Sequence, residues 1–290
     1  MSTTALHPRL QGYLDAVADT CTADGLQLTA LVVFGSAVTG GYRESASDVD
    51  LIVVLADGAR REDRRRARAH VQRLELLHGL RDEDPALSEG RLAAWVRSIT
   101  ANVRSFFVCT RADLLSGDVA RILDIPRTQA VFVDRVVVPS IVGSGLTVWG
   151  EDLLPHVPLP AIRRGDVFKA FFGFWNQALL SAAAYPVVPA ATGFAMATLK
   201  RSVHNCYFCY HLRPAALEDE VAFLRQRVGG GSTRHVNHTD RTLDELMELR
   251  HEPRRSFGFV LRCLPVLVRL HLRTAVDNRF PRQPPARCLE

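Results

Sequence analysis

The chain has 290 residues, 47% of them hydrophobic, and a formal net charge of +5. That length suits one large domain or two ordinary ones, and the apolar content implies a sizeable core, which excludes a coreless chain. No stretch holds eighteen uninterrupted apolar residues and the first residues lack a leader-like apolar core, so no membrane partner is expected and the location expected is cytoplasmic, with the six cysteines as reduced thiols.

The elements follow in chain order. Residues 9–24 carry Leu10, Tyr13, Leu14 and Val17 at helical spacing. Leu31 to Phe34 is a short β-rich apolar run that ends in Gly35-Ser36. Leu51 to Leu55 reads as a strand buried on both faces, headed by Asp48 and Asp50. Residues 60–80 read as a helix with Val71, Leu74, Leu77 and His78 on one face, its arginine run Arg60–Arg68 forming a solvated side. After a break at Asp82-Glu83-Asp84-Pro85, residues 92–103 read as a helix, 105–110 as a strand and 131–139 as a further β-rich run. The segment from Thr147 to Leu153 closes this part, and Pro155, Pro158 and Pro160 mark a boundary. Beyond it only helical periodicity is seen, over about 161–184, 191–213, 215–228, 241–251 and 255–276, with Thr242 to Glu245 compatible with a capping box and a loop from Gly229 to Thr239.

The stretch from Leu31 to Leu55 carries the chemistry. A strand that ends in Gly-Ser and enters a helix presents backbone N–H groups to an anion, Gly35 admits close approach because it has no Cβ, and the Ser36 hydroxyl can donate to a phosphate oxygen. Asp48 and Asp50 share one face of the following strand by its period of two, with Val49 on the other. Two hard carboxylates side by side suit Mg²⁺, which is held by one or two carboxylates together with substrate phosphates.

Gly35, Ser36, Gly40, Ser47, Asp48, Asp50 and Leu51 together resemble the signature of the DNA polymerase β-like nucleotidyltransferase superfamily, over residues 30 to 55 only. The look is that of the minimal bacterial branch that includes aminoglycoside-modifying enzymes and antitoxin-type nucleotidyltransferases. The resemblance implies an α+β fold, with a small mixed sheet and flanking helices over residues 1–155 and an all-helical acceptor-binding domain over 156–290. It implies Mg²⁺-dependent transfer of a nucleotidyl group, AMP from ATP or the equivalent from another nucleoside triphosphate, to an acceptor hydroxyl of a small molecule or protein. Gly35, Ser36 and Ser47 would hold the nucleotide, and Asp48 and Asp50 the metal. The superfamily adds a third carboxylate from a neighbouring strand, but residues 105–110 contain no acid; Asp113 just beyond them is the first candidate and Asp134 the second, although Asp113 equally suits a helix cap.

Several weaker features remain. Lysine occurs only at Lys169 and Lys200, and Lys200, beside Arg201, is the basic residue expected to reach a phosphate from the helical part. Cys206 and Cys209 have metal-like spacing but sit in a helical pattern whose buried face they fit. Glu218, Asp219 and Glu220 open a helix, where acids suit the dipole; recognition of a cationic acceptor is the alternative. The arginines are spread along the chain, which disfavours a nucleic-acid partner and an RNA-directed transferase. The absent strand acid leaves open a regulatory module that binds nucleotide without turnover, and self-association into a homodimer is also left open.

Overall fold

The computed structural model describes residues 8–39, 49–80, 105–130, 133, 135–228 and 238–277. The expected helix over 92–103 and the loop from Gly229 through residue 237 lie outside them.

Four strands, β1 (Leu28–Phe34), β2 (Asp50–Leu55), β3 (Phe106–Thr110) and β4 (Leu146–Gly150), form one sheet in the order β3-β2-β1-β4. β1 runs antiparallel to β2 and β4, and β2 runs parallel to β3, so the sheet is mixed. Alternation along β1 and β2 sorts the side chains cleanly. Leu31, Val33, Leu51 and Val53 face helices α1 (Pro8–Ala23) and α2 (Arg61–Leu77), meeting Leu10, Tyr13, Val17 and Val71. Ala30, Val32, Ile52 and Val54 face the opposite layer. Both faces of the central strands are covered, which explains the unbroken apolar run of β2. Leu77, expected on the buried face of α2, is 69% exposed because the helix ends there.

Between β3 and β4 the chain forms three short helices, α3 (Arg111–Leu115), α4 (Val119–Ile122) and α5 (Arg127–Ala130), and then α6 (Val137–Ser144). The β-rich reading of 131–139 is thereby corrected from residue 137 onward. Val138, Ile141 and Val142 bury themselves at helical spacing against the sheet, and that packing overrides their β propensity. The segment around Trp149, expected only as a closing turn, supplies edge strand β4.

From residue 164 onward every regular element described is helical: α7 (Arg164–Ala184), α8 (Ala191–His211), α9 (Leu217–Val228), α10 (His238–His251) and α11 (Phe257–Val276). Their starts have local causes. The Arg163 N–H donates to the Asp166 carboxylate at 2.8 Å, and Ser256 Oγ accepts from Phe259 N–H at 3.2 Å. Thr242 does not cap α10, which begins a turn earlier; its hydroxyl donates to the His238 carbonyl at 2.7 Å. Cys206 packs in the helical core and Cys209 in the seam formed by Val136, Ile162, Phe208 and Ala275. His271 is buried between Phe171 and Phe174, 2.7 Å from Ser202 Oγ and 3.2 Å from the Val167 carbonyl oxygen. No described helix is long and apolar enough to cross a membrane.

Candidate active site

Asp50 opens β2 and pairs with Phe34, the last residue of β1. Gly35 therefore stands directly beside the carboxylate. It adopts φ +72°, a region that favours glycine, and a Cβ built on it would overlap Asp50 Oδ2. The sequence placed glycine here for an incoming phosphate; the structure shows a second reason, contact with the acid itself. Ser36 and Ala37 continue in a three-residue 3-10 turn in which Gly35 accepts from the Val38 and Thr39 N–H groups at 3.1 Å. That turn is too short to supply the dipole of a full helix, so the anion-binding expectation rests here on open backbone and on Ser36, which is half-buried.

Alternation fixes the direction of Asp50. Val49, Leu51 and Val53 enter the core under α1 and α2, so Asp50 shares the other face with Ile52 and Val54. That face is covered by α6, whose last residue Ser144 accepts from the Gly35 N–H at 3.5 Å. Asp48, Ser47 and Asp134 lie outside the described residues.

The helical region also reaches this edge. Burial lowers the pKa of the Arg201 guanidinium on α8 to about 10, and the charge of Asp50 opposes that drop. Arg201 is held by Gln177 of α7: Nη2 donates to Gln177 Oε1 at 2.9 Å, and Nε donates to the Ala197 carbonyl at 3.2 Å. Thr198 Oγ1 donates to the same Gln177 oxygen at 3.4 Å. Lys200, favoured from sequence for its rarity, is half-buried at the adjacent position. Arg201 is the functional candidate that sequence reading underweighted, although a signal existed: Thr198, Arg201, Ser202 and Asn205 form a polar line at helical spacing in a largely buried helix.

Asp113 is not brought to Asp50, and this corrects its assignment as the third acid. Because β2 and β3 are parallel and Leu55 pairs with Thr110, Asp113 lies past the far end of the strands, roughly 16 Å or more of strand away. There it accepts from the Thr110 N–H and hydroxyl at 3.1 and 2.8 Å and pairs with Arg64 at 2.9 Å. The position beside Asp50 on the neighbouring strand is Ser105, whose carbonyl accepts from Leu51 N–H at 2.8 Å and whose hydroxyl donates to buried Glu75 at 2.6 Å.

Two other features resolve into structural ion pairs. Arg64, Arg66 and Arg68 of the arginine run pair with Asp113, with Asp24 and Asp63, and with Asp124. In the acidic cluster, Glu220 is buried against His204 and Glu218 pairs with Arg250 at 3.2 Å.

The arrangement is thus a carboxylate at a strand head, a glycine crevice against it, and a guanidinium delivered by a remote helix. Chemically, a carboxylate can hold a divalent ion and a guanidinium a phosphate. Residues 16–84, which include β1 and β2, match the nucleotidyltransferase domain family. The match assigns a nucleotidyltransferase domain to those residues. The whole fold is similar to the crystal structure of spectinomycin adenyltransferase AAD(9) from Enterococcus faecialis with ATP and spectinomycin, at 10% identity and a TM-score of 0.52 over 92% of this chain and 99% of that one. No curated protein matches the chain.

Proposed function

We propose that the protein transfers a nucleotidyl group, AMP from ATP, to a hydroxyl of a small hydrophilic acceptor lodged between the sheet, over residues 1–155, and the helices, over 156–290. The acceptor oxygen attacks the α-phosphorus, the bond from that phosphorus to the β-phosphate oxygen breaks, the acceptor loses its proton, and pyrophosphate leaves. Asp50 with Asp48 would hold Mg²⁺: the donors are hard carboxylate oxygens, and the crevice left by Gly35 at Asp50 Oδ2 is one that a Cβ would fill. When bound, that ion supplies charge neutralisation on the triphosphate. Gly35 and Ser36 admit the phosphates, and Arg201, fixed by Gln177, faces the charge that develops on them. The observation that carries this reading is the close packing of Gly35 on Asp50 within a domain that matches nucleotidyltransferases. The small acceptor rests on likeness to a protein crystallised with ATP and spectinomycin.

A second reading, a module that binds nucleotide without turnover, is favoured by one observation: Ser105 rather than an acid stands beside Asp50. One experiment separates the two. Pyrophosphate release is followed with ATP, Mg²⁺ and a panel of aminocyclitol and amino-sugar acceptors, alongside calorimetric titration with a non-hydrolysable ATP analogue. Release that Asp50→Asn abolishes, with the circular dichroism spectrum unchanged, supports the transferase. Analogue binding without release supports the module, and full activity in Asp50→Asn refutes the site.

A further inference from the structure

The helical region leaves one face open. α7 and α11 lie side by side and run antiparallel: the start of α7 meets the end of α11 where Val167 contacts His271, and the ring of Tyr185, next after α7, packs at a tilt on that of Phe257, centroids 4.9 Å apart. On α11 the exposed positions Phe257, Leu261, Val268, Leu272 and Val276 recur at spacings of four and seven, which is one face of a helix. On α7 the exposed Phe168 and Phe172 lie one turn apart, Phe168 next to the Val167 that meets His271 of α11. α11 contains no acid, and the only acid of α7, Asp166, is buried. The face is therefore apolar along its length, with Lys169, Arg269 and Arg273 as its charged margin.

The area decides what such a face fits. Seven large side chains left 40–59% exposed present on the order of 500–600 Å² of apolar surface, taking ~150–250 Å² for a large side chain. That is at the upper end of what a monomer leaves open. Homodimer interfaces are roughly 65% apolar, so two such patches pressed together imply a total buried area of roughly 1,700 Å², close to the standard size for a stable dimer. Two antiparallel helices with outward apolar stripes are also self-complementary under a two-fold axis, since a second copy completes a four-helix layer.

We infer that the α7–α11 face is the interface of a homodimer, with a second copy of this chain as its occupant. Sedimentation velocity of the full chain at about 10 μM tests it. A species of twice 32.2 kDa is expected, and Val268→Arg and Phe172→Arg, both on the surface, are each expected to weaken it at least ~30-fold, the effect of losing a hot spot, with melting temperatures kept near that of the unaltered chain. Flotation with vesicles rich in phosphatidylserine is the second arm. A monomer at 100 μM, a dimer indifferent to both substitutions, or a monomer that floats with the vesicles would each overturn the inference; the last would assign the face to an anionic lipid surface.

Discussion

Gly35→Ala is the sharpest probe of the site, because its effect divides into two parts that can be measured apart. The first is torsional: a residue with Cβ at φ +72° costs about 1–2 kcal/mol in the left-handed region. For a chain of this size that corresponds to a drop in Tm of roughly 2–8 °C, taking about 2–4 °C per kcal/mol. The second is specific to the site. The new Cβ overlaps Asp50 Oδ2, the far end of a short side chain, so the carboxylate must move aside. A displacement of about 1 Å in a catalytic group costs on the order of 100-fold in rate. The expected result is therefore a modest loss of stability with a loss of about 100-fold in kcat/KM, read by calorimetry and by pyrophosphate release. Gly150→Ala is the control. Gly150 has φ +79° and a Cβ there would overlap the Thr29 carbonyl oxygen, but it pairs with Ala30, at the other end of β1 from Gly35. It should lose more stability and, once folded, keep its specific activity. The reasoning is refuted if Gly35→Ala retains activity within about threefold, or if the two variants lose activity in proportion to their loss of stability.

Asp113→Asn should leave kcat/KM within about threefold while lowering stability by about 1 kcal/mol, since it weakens a capping box and the pair with Arg64; urea unfolding and a rate assay suffice, and a loss of a hundredfold or more would restore Asp113 to the site. Arg201→Ala should raise KM for ATP and lower kcat/KM by about 30–100-fold, the effect of a lost charge-assisted contact of about 2–3 kcal/mol, with Gln177→Ala showing the same direction more weakly; equal KM values in all three proteins would remove Arg201 from the reading. His271 makes stability depend on pH. Burial holds its folded pKa at about 4, below the ordinary value near 6.5, so the unfolded chain binds the proton first and stability is complete above pH 6.5 and falls as pH drops toward 4. At a maximum of about 1.4 kcal/mol per pH unit, the term amounts to roughly 2 kcal/mol lost between pH 7.5 and pH 5. His271→Gln should be less stable at pH 7.5 yet flatter by that amount in urea titrations at the two pH values, and an unchanged slope would refute the assignment.

What could be read from sequence and what could not divide along a physical line. Strands β1 and β2 and the five long helices announce themselves through patterns within a dozen residues: an unbroken apolar run for a strand covered on both faces, and periodicity of 3.6 for the helices. Gly35 and Asp50 were legible for the same reason, since one short unit holds both. α6 was not, because its β-branched residues favour a strand locally and only the shape of the sheet above them selects the helix. Asp113 misled because its distance from Asp50 depends on β3 running parallel to β2, a fact that no local pattern carries. β4 closes a sheet edge about 120 residues after β1 begins, and Arg201 feels the charge of Asp50 across a still longer separation. The polar line from Thr198 to Asn205 was the available hint, since buried polar residues in a helix face partners that the sequence does not name.

The meeting of Arg201 and Asp50 has a consequence for how the proposed substrates bind. Packing strips water from the guanidinium, and the charge of Asp50 is what opposes that cost. A divalent ion bound at Asp50 would take up that negative charge and so weaken its attraction for Arg201. A triphosphate bound alone gives Arg201 an anion but sets that anion against the carboxylate. Only the two together would balance the charges of Asp50 and Arg201. Metal and nucleotide should therefore bind synergistically, each raising the affinity of the other by the same factor, as linkage requires. The partner in this reading comes from the helical region, which would give that region a part in nucleotide binding.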